Sequence, residues 1–219
     1  MKMYFVKIGI VFFVLLSFLS EKIVFASLPL AGKKIVIDSG HGGLDPGTMY
    51  KDIYEKDINL SISLALEEEL KKLGAEVILI RYGDYDLSKP KSSWRKKSDF
   101  DNRIQIINTT GADYYLSIHL NYLGDSSYYG PQVFYNGKSE NNKAMAEQLQ
   151  GDLNKELKTD REVKTIPSST YMYSRLKTTG VLVECGFLSN AHERGLLVTK
   201  EYQKKLATII ANSVARLKF

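Results

Sequence analysis

Short apolar runs closed by glycine or by a charged side chain alternate along this chain with longer stretches whose apolar residues recur every three or four positions. That alternation predicts strands interleaved with helices, an α/β domain built on buried strands. The first strand spans Lys34 to Asp38 and runs into the glycine turn Ser39-Gly-His-Gly-Gly-Leu-Asp-Pro-Gly47. A helix follows, with Ile58, Ile62, Ala65, Leu66, Leu70 and Leu73 on one face, Asp57 at its start, Lys71 and Lys72 at its end, and Gly74 as its stop. Strand two is Glu76 to Ile80. The polar segment from Tyr82 to Asp101, with Pro90, Trp94 and the Arg95-Lys96-Lys97 cluster, is expected to be a long functional loop. A short helix is expected from Asn102 to Asn108, and strand three, Asp113 to Ile118, delivers His119. Strand four is Gln132 to Tyr135. Ser139 then caps a helix with Met145, Leu149, Leu153 and Leu157 in one stripe. The stretch from Thr159 to Lys177 has no readable period. Gly180 to Val183 is a further buried strand ending in Glu184, Asn190 with Glu193 resembles a capping box, and Thr199 opens a last helix.

Residues 1–26 stand apart from this pattern. Lys2 and Lys7 precede an uncharged apolar run from Ile8 to Leu19, and Val24-Phe25-Ala26 offers small residues at a cleavage position. This predicts a signal peptide, or else an N-terminal membrane anchor if the segment is uncleaved, and so an exported, extracytoplasmic protein whose contact with a membrane is through residues 1–26 alone. Residues 27–219 then form one catalytic domain, large enough for a single α/β core. Of the chain's 30 basic and 25 acidic residues, the leader takes Lys2, Lys7, Lys22 and Glu21, leaving 27 against 24, a net charge of +3. A mildly basic exported surface suits an anionic polymer such as cell wall. Nucleic acid is not expected as a partner, because no basic helix interleaved with aromatics and no recognition motif is found. The one cysteine, Cys185, excludes an internal disulfide, and its place one residue after Glu184 reads as buried filler.

Three apolar runs thus end in residues able to bind or serve a metal: His41, His119 and Glu184. Strand ends of an open α/β sheet share one crevice, so the three can meet. A catalytic zinc needs three nitrogen or oxygen ligands and one open position, and two histidines with a carboxylate form such a set. His41 and His119 follow buried strands, whereas His192 lies in a polar turn. For the carboxylate, Glu55 stands beside the glycine turn where a helix begins, with Asp57 and Asp45 as competitors; Asp57 can serve as a helix N-terminal charge and Asp45 as a turn former. Glu184, a lone acid at a strand end, is expected to act as general base. The chemistry expected of such a set is amide hydrolysis at zinc.

Ser39 to Gly47, Tyr54-Glu-Lys-Asp-Ile-Asn-Leu60, Ser117-Ile-His-Leu-Asn121 and Val183-Glu-Cys-Gly-Phe-Leu-Ser-Asn190 resemble, in order and spacing, the four signature blocks of the zinc-dependent N-acetylmuramoyl-L-alanine amidases of the amidase-3 type. The resemblance implies a twisted, mostly parallel sheet of about six strands with helices on both faces. It also implies Zn2+ on His41, Glu55 and His119, catalysis by Glu184, and peptidoglycan as substrate, cut between muramic acid and L-alanine. The Tyr122 to Pro131 connection is too short for the blocking helix of some members, so the site is expected to be open. The Arg95 to Arg103 stretch, with the export signal and the lack of a wall-binding repeat, resembles the CwlD-type group of spore formers, which prepare spore-cortex muramic acid for muramic-δ-lactam formation ahead of germination. The lack of a targeting module leads to the expectation of an accessory or activating protein. Two rivals are a wall-binding module that has lost activity, and a zinc carboxypeptidase, for which Arg81 or Arg175 would receive the terminal carboxylate.

Overall fold

Ile35 and Ile37 point to one face of the first strand and Val36 to the other, and all three are fully buried, so this strand is covered on both sides. The computed structural model describes residues 28–219, and the leader expected at residues 1–26 lies outside them. The strands in chain order are β1 (Lys34–Ser39), β2 (Met49–Tyr50), β3 (Ile53–Tyr54), β4 (Glu76–Leu79), β5 (Tyr114–Asn121), β6 (Gln132–Asn136), β7 (Lys164–Ile166) and β8 (Thr179–Phe187). Six of them form one sheet in the order β4-β1-β5-β8-β6-β7, and β2 and β3 make a separate small hairpin. Every pairing in the large sheet is parallel except β6 with β8. This is the single α/β domain with a mostly parallel six-stranded sheet that the sequence predicts.

Helices α1 (Glu55–Lys72), α3 (Glu140–Leu157) and α5 (Lys200–Val214) cover one face, where Ile62, Leu66, Leu149, Leu153, Leu206 and Ile210 are fully buried. The other face is covered by α2 (Arg95–Thr109) and by the 3₁₀ turn Tyr173–Arg175, which bury Ile107, Met172 and Tyr173 on Val36, Tyr115 and Leu182. A short α4 (Ala191–Leu197) follows β8. Caps form where the sequence places them. Ser139 accepts a hydrogen bond from Asn141 N, Thr199 from Tyr202 N, and Asn190 from His192 N and Glu193 N.

Several expectations are corrected. The segment from Tyr82 to Asp101 is not all loop, because α2 begins at Arg95, seven residues before the helix expected at Asn102. β7 and the β2–β3 hairpin were not anticipated, the first being an edge strand exposed over two of its three residues. β5 and β8 run past His119 and Glu184 rather than stopping before them, so these two residues are paired neighbours inside the sheet. Only half of the capping box forms, since Glu193 turns away to accept from Phe187 N and Gly130 N. Among the described residues no helix is long and apolar enough to cross a membrane.

Candidate active site

The turn after β1 carries His41 through a left-handed backbone, φ 61, which costs a non-glycine residue of the order of 1–3 kcal/mol. It is held there by the Gly42–Asp45 bridge and by Arg103, whose Nη2 donates to the His41 carbonyl at 2.7 Å. Two glycines make room around the site. A Cβ on Gly40 would lie 2.3–2.6 Å from the His119 ring, and one on Gly47 would lie 2.5 Å from Glu55 Oε2. The Thr48 amide and hydroxyl fix Glu55 Oε2, at 2.8 and 3.1 Å.

Glu55 Oε1, in a side chain only 2 % exposed, faces His41 Nε2 at 3.2 Å and His119 Nδ1 at 3.0 Å, and also accepts from Leu120 N and Asn59 Nδ2. The three ligand-capable atoms lie within 4.8 Å of one another, and this is a group that could hold a metal ion. The two imidazoles meet edge to face, 5.0 Å apart. Behind His41, Nδ1 lies 3.0 Å from Asp45 Oδ2, so with an ion in place Nδ1–H would donate outward and leave the Nε2 lone pair for the ion. A lone pair set 3.2 Å from a carboxylate oxygen is repulsive unless a cation lies between. Donors around a tetrahedral zinc, with bonds of about 2.0–2.2 Å, are spaced by roughly 3.3–3.6 Å, and the two histidine–Glu55 spacings of 3.2 and 3.0 Å lie a little inside that. The donor set therefore fits such an ion.

The electrostatics point the same way. Burial alone would raise the Glu55 carboxyl, but hydrogen bonds from His119 and His41, and their charge, hold it far below the usual range. Burial alone would lower His41, yet hydrogen bonds to Asp45 and Glu55 outweigh it and lift the imidazole to about 9. In the metal-free protein a proton thus stands in for the missing positive charge. Glu184 behaves in the opposite way. Burial, the largest influence, pushes it up to about 7, and its Oε2 is sealed from solvent with no hydrogen-bond partner.

His41, His119 and Glu184 share a cleft of about 260 Å³ with Phe100, Tyr171 and Tyr173. A larger groove, about 820 Å³, lies between α3 and α5 on the opposite face, but no histidine lines it, and size alone does not mark a site. The structure brings together His41, Glu55, His119 and Glu184. It separates the competitors: Asp57 is exposed in the first turn of α1, and His192 is exposed on α4. Asp45 does not join the three donors but backs His41 and also accepts from Gly47 N at 3.1 Å, so its turn-forming and its chemical roles coincide. Cys185 is fully buried on the other face, its thiol pushed up by burial. Arg81 cannot receive a substrate carboxylate, because it is buried and its guanidinium is spent on the carbonyls of Ser39, Gly40, Lys56 and Gly83. Sequence reasoning missed Arg103 and Asp38, a buried ion pair at 2.5 Å beneath the glycine turn, and Tyr173, which lies in the stretch that showed no period.

An α/β sheet whose His₂Glu group, drawn from the turn after β1, the start of α1 and β5, could hold a metal beside an acid on β8 fits a hydrolase of the metal-dependent class. Comparison with known proteins gives the family. Residues 35–216 match the family model described as N-acetylmuramoyl-L-alanine amidase, and the chain belongs to that family of enzymes acting on peptidoglycan. It is 38% identical over 194 residues to the germination-specific N-acetylmuramoyl-L-alanine amidase of Bacillus subtilis, covering 87% of this chain and 81% of that one. Its fold superposes with a TM-score of 0.79 on the CwlD amidase from Clostridioides difficile, solved in complex with the GerS lipoprotein, at 38% identity over 84% of this chain and 96% of the other. The catalytic domain of CwlV from Bacillus (Paenibacillus) polymyxa var. colistinus, also an N-acetylmuramoyl-L-alanine amidase, gives 0.72 at 29% identity, over 83% of this chain and 96% of that one.

Proposed function

We propose that His41, Glu55 and His119 hold one zinc ion, and that Glu184 is the acid–base residue that cuts the amide between the lactyl group of muramic acid and L-alanine. The observation that carries this reading is the convergence of three lone-pair donors on one point, beside a carboxylate with an unpartnered oxygen in the same cleft. When bound, zinc supplies Lewis-acid polarisation of the scissile carbonyl. Asp45 keeps the His41 Nδ1–H donating outward, so Nε2 stays free of hydrogen. Glu55, closed on its far side by Thr48, lends negative charge without being able to rotate away. Glu184 takes a proton from the attacking water as its oxygen bonds to the carbonyl carbon, then hands that proton to the nitrogen as the C–N bond breaks.

The germination-specific and CwlD relatives support a spore-cortex role, with the product feeding muramic-δ-lactam formation. Work on the wall requires export, for which residues 1–26 serve as signal peptide or anchor. The complex of the CwlD amidase with a lipoprotein supports an accessory protein for this chain as well. A wall-binding module without activity is disfavoured, since it would have no need to keep an acid with an unpartnered oxygen beside the donor set. Mass spectrometry of muropeptides after incubation with the zinc-loaded protein tests the reading. Free lactyl carboxyls and peptides beginning with a free L-alanine amine are expected. Stems shortened at their carboxyl ends, with the lactyl amide intact, would favour the carboxypeptidase.

A further inference from the structure

A line of hydroxyls runs behind His119, away from Glu55. The outer nitrogen, Nε2, lies 3.4 Å from the Tyr173 hydroxyl, that hydroxyl lies 3.0 Å from Ser117 Oγ, and Ser117 Oγ donates to Asp38 Oδ2 at 2.6 Å. Asp38 is itself clamped by Arg103 Nη1. Asp38, Ser117 and Tyr173 are all buried, from 0% to 8% exposed.

The direction of each bond in this line follows from counting hydrogens. Asp38 is ionised, because although burial opposes it, the Arg103 charge and the Ser117 hydrogen bond bring its pKa below the usual value. It can therefore only accept, and the single hydrogen of Ser117 is committed to it. Ser117 must then accept from Tyr173, whose own hydrogen is committed in turn. The Tyr173 oxygen is left as an acceptor toward His119 Nε2, so that when Nδ1 turns its lone pair to an ion instead of donating to Glu55, the hydrogen on Nε2 has a partner waiting.

We infer that Tyr173 and Ser117 are positioning residues that relay the Asp38 charge to His119, fixing the tautomer in which Nε2 carries the hydrogen and Nδ1 turns its lone pair to the ion site. The inference rests on the metal reading above. It gives His119 the counterpart of what Asp45 does for His41, by a longer route: three residues from β1, β5 and the 3₁₀ turn do for one histidine what a single carboxylate does for the other. It also gives a task to Ser117, a polar residue in the middle of a buried strand, and to the stretch around Tyr173.

The test compares the wild type with Tyr173→Phe, Ser117→Ala and the double variant, reading zinc affinity by chelator competition and the exchange of the His119 Nε2 hydrogen by NMR of the zinc-loaded protein. The expected result is a loss of zinc affinity of about 10–100-fold in Tyr173→Phe. Ser117→Ala should show a smaller loss, and the double variant no more than Tyr173→Phe alone, because the residues act in series. The zinc-loaded wild type should show a slowly exchanging hydrogen on His119 Nε2, and Tyr173→Phe a faster-exchanging one. Unchanged zinc affinity in Tyr173→Phe overturns the relay, as does an Nε2 hydrogen that exchanges equally fast in the wild type and Tyr173→Phe. A drop in kcat with zinc affinity intact also overturns it, since Tyr173 would then touch the reacting atoms instead. A wild-type protein that binds no zinc overturns the metal reading and the relay with it, whereas zinc bound equally by wild type and Tyr173→Phe overturns the relay alone.

Discussion

A carboxylate with an oxygen sealed from water and no partner is a liability that folding alone would not keep. Glu184 is therefore best tested by removing its charge while keeping its shape. Its pKa in the folded protein is about 7 against an ordinary 4.5, so the folded state favours the protonated acid. The stability this allows is complete below pH 4.5 and is lost as pH rises through about 7. In metal-free Glu184→Gln that loss is absent. The variant should be more stable than the wild type above pH 7, by about 1–3 kcal/mol, with the gap closing toward pH 4.5. Turnover of the zinc-loaded variant should fall by about 10²–10⁴-fold, as expected when a general acid–base residue is removed. Denaturant unfolding across pH, paired with activity, reads both. A variant less stable at alkaline pH, or one that keeps its activity, would take Glu184 out of this role. Asp45 teaches the converse point: a residue with a sufficient local explanation, as turn former, also holds the imidazole beside it.

Helix α2 shows what sequence patterning could and could not reveal. Its inward residues are Asp99, Arg103 and Ile107, an i, i+4, i+8 stripe in which two of three members are charged, so a search for apolar periodicity recovers only its second half. The charges are buried because they do structural work across elements. Arg103 ties α2 to β1 through Asp38 and to the glycine turn through the carbonyls of Ser39 and His41, while Asp99 accepts from the Leu87 amide. By contrast, β1, α1 and α3, whose inward residues are apolar at regular spacing, were legible from their patterns, and so were the endings that supply His41, His119 and Glu184. β7 was not, because a three-residue edge strand with one buried side chain has too little alternation to read. Tyr173 was hidden for the same reason, since its position depends on the packing of a 3₁₀ turn and not on a period. Arg103→Met should cost about 3–5 kcal/mol in the metal-free protein, because Asp38 is left buried and uncompensated. Adding Asp38→Asn should recover part of that loss. Unfolding of the two variants measures it, and a single variant as stable as the wild type would show that the clamp contributes nothing.

At the scale of the whole molecule, the sheet order brings the ends of β1, β5 and β8 side by side, so that residues more than 140 positions apart in sequence share one cleft. The helices divide the labour. Three of them cover one face and bury most of the apolar core, while the face carrying the cleft is held by α2 and the 3₁₀ turn with their polar contacts. Destabilising the apolar face should therefore lower stability without altering metal binding, whereas changes near the cleft should separate the two. The central claim, that one zinc ion is held by His41, Glu55 and His119 with Glu184 beside it and not bound to it, is tested most directly by the metal content of purified protein loaded with zinc and dialysed. One zinc per chain is expected in the wild type and in Glu184→Gln, and none in His119→Ala. Equal zinc in His119→Ala, or its loss from Glu184→Gln, would contradict the assignment.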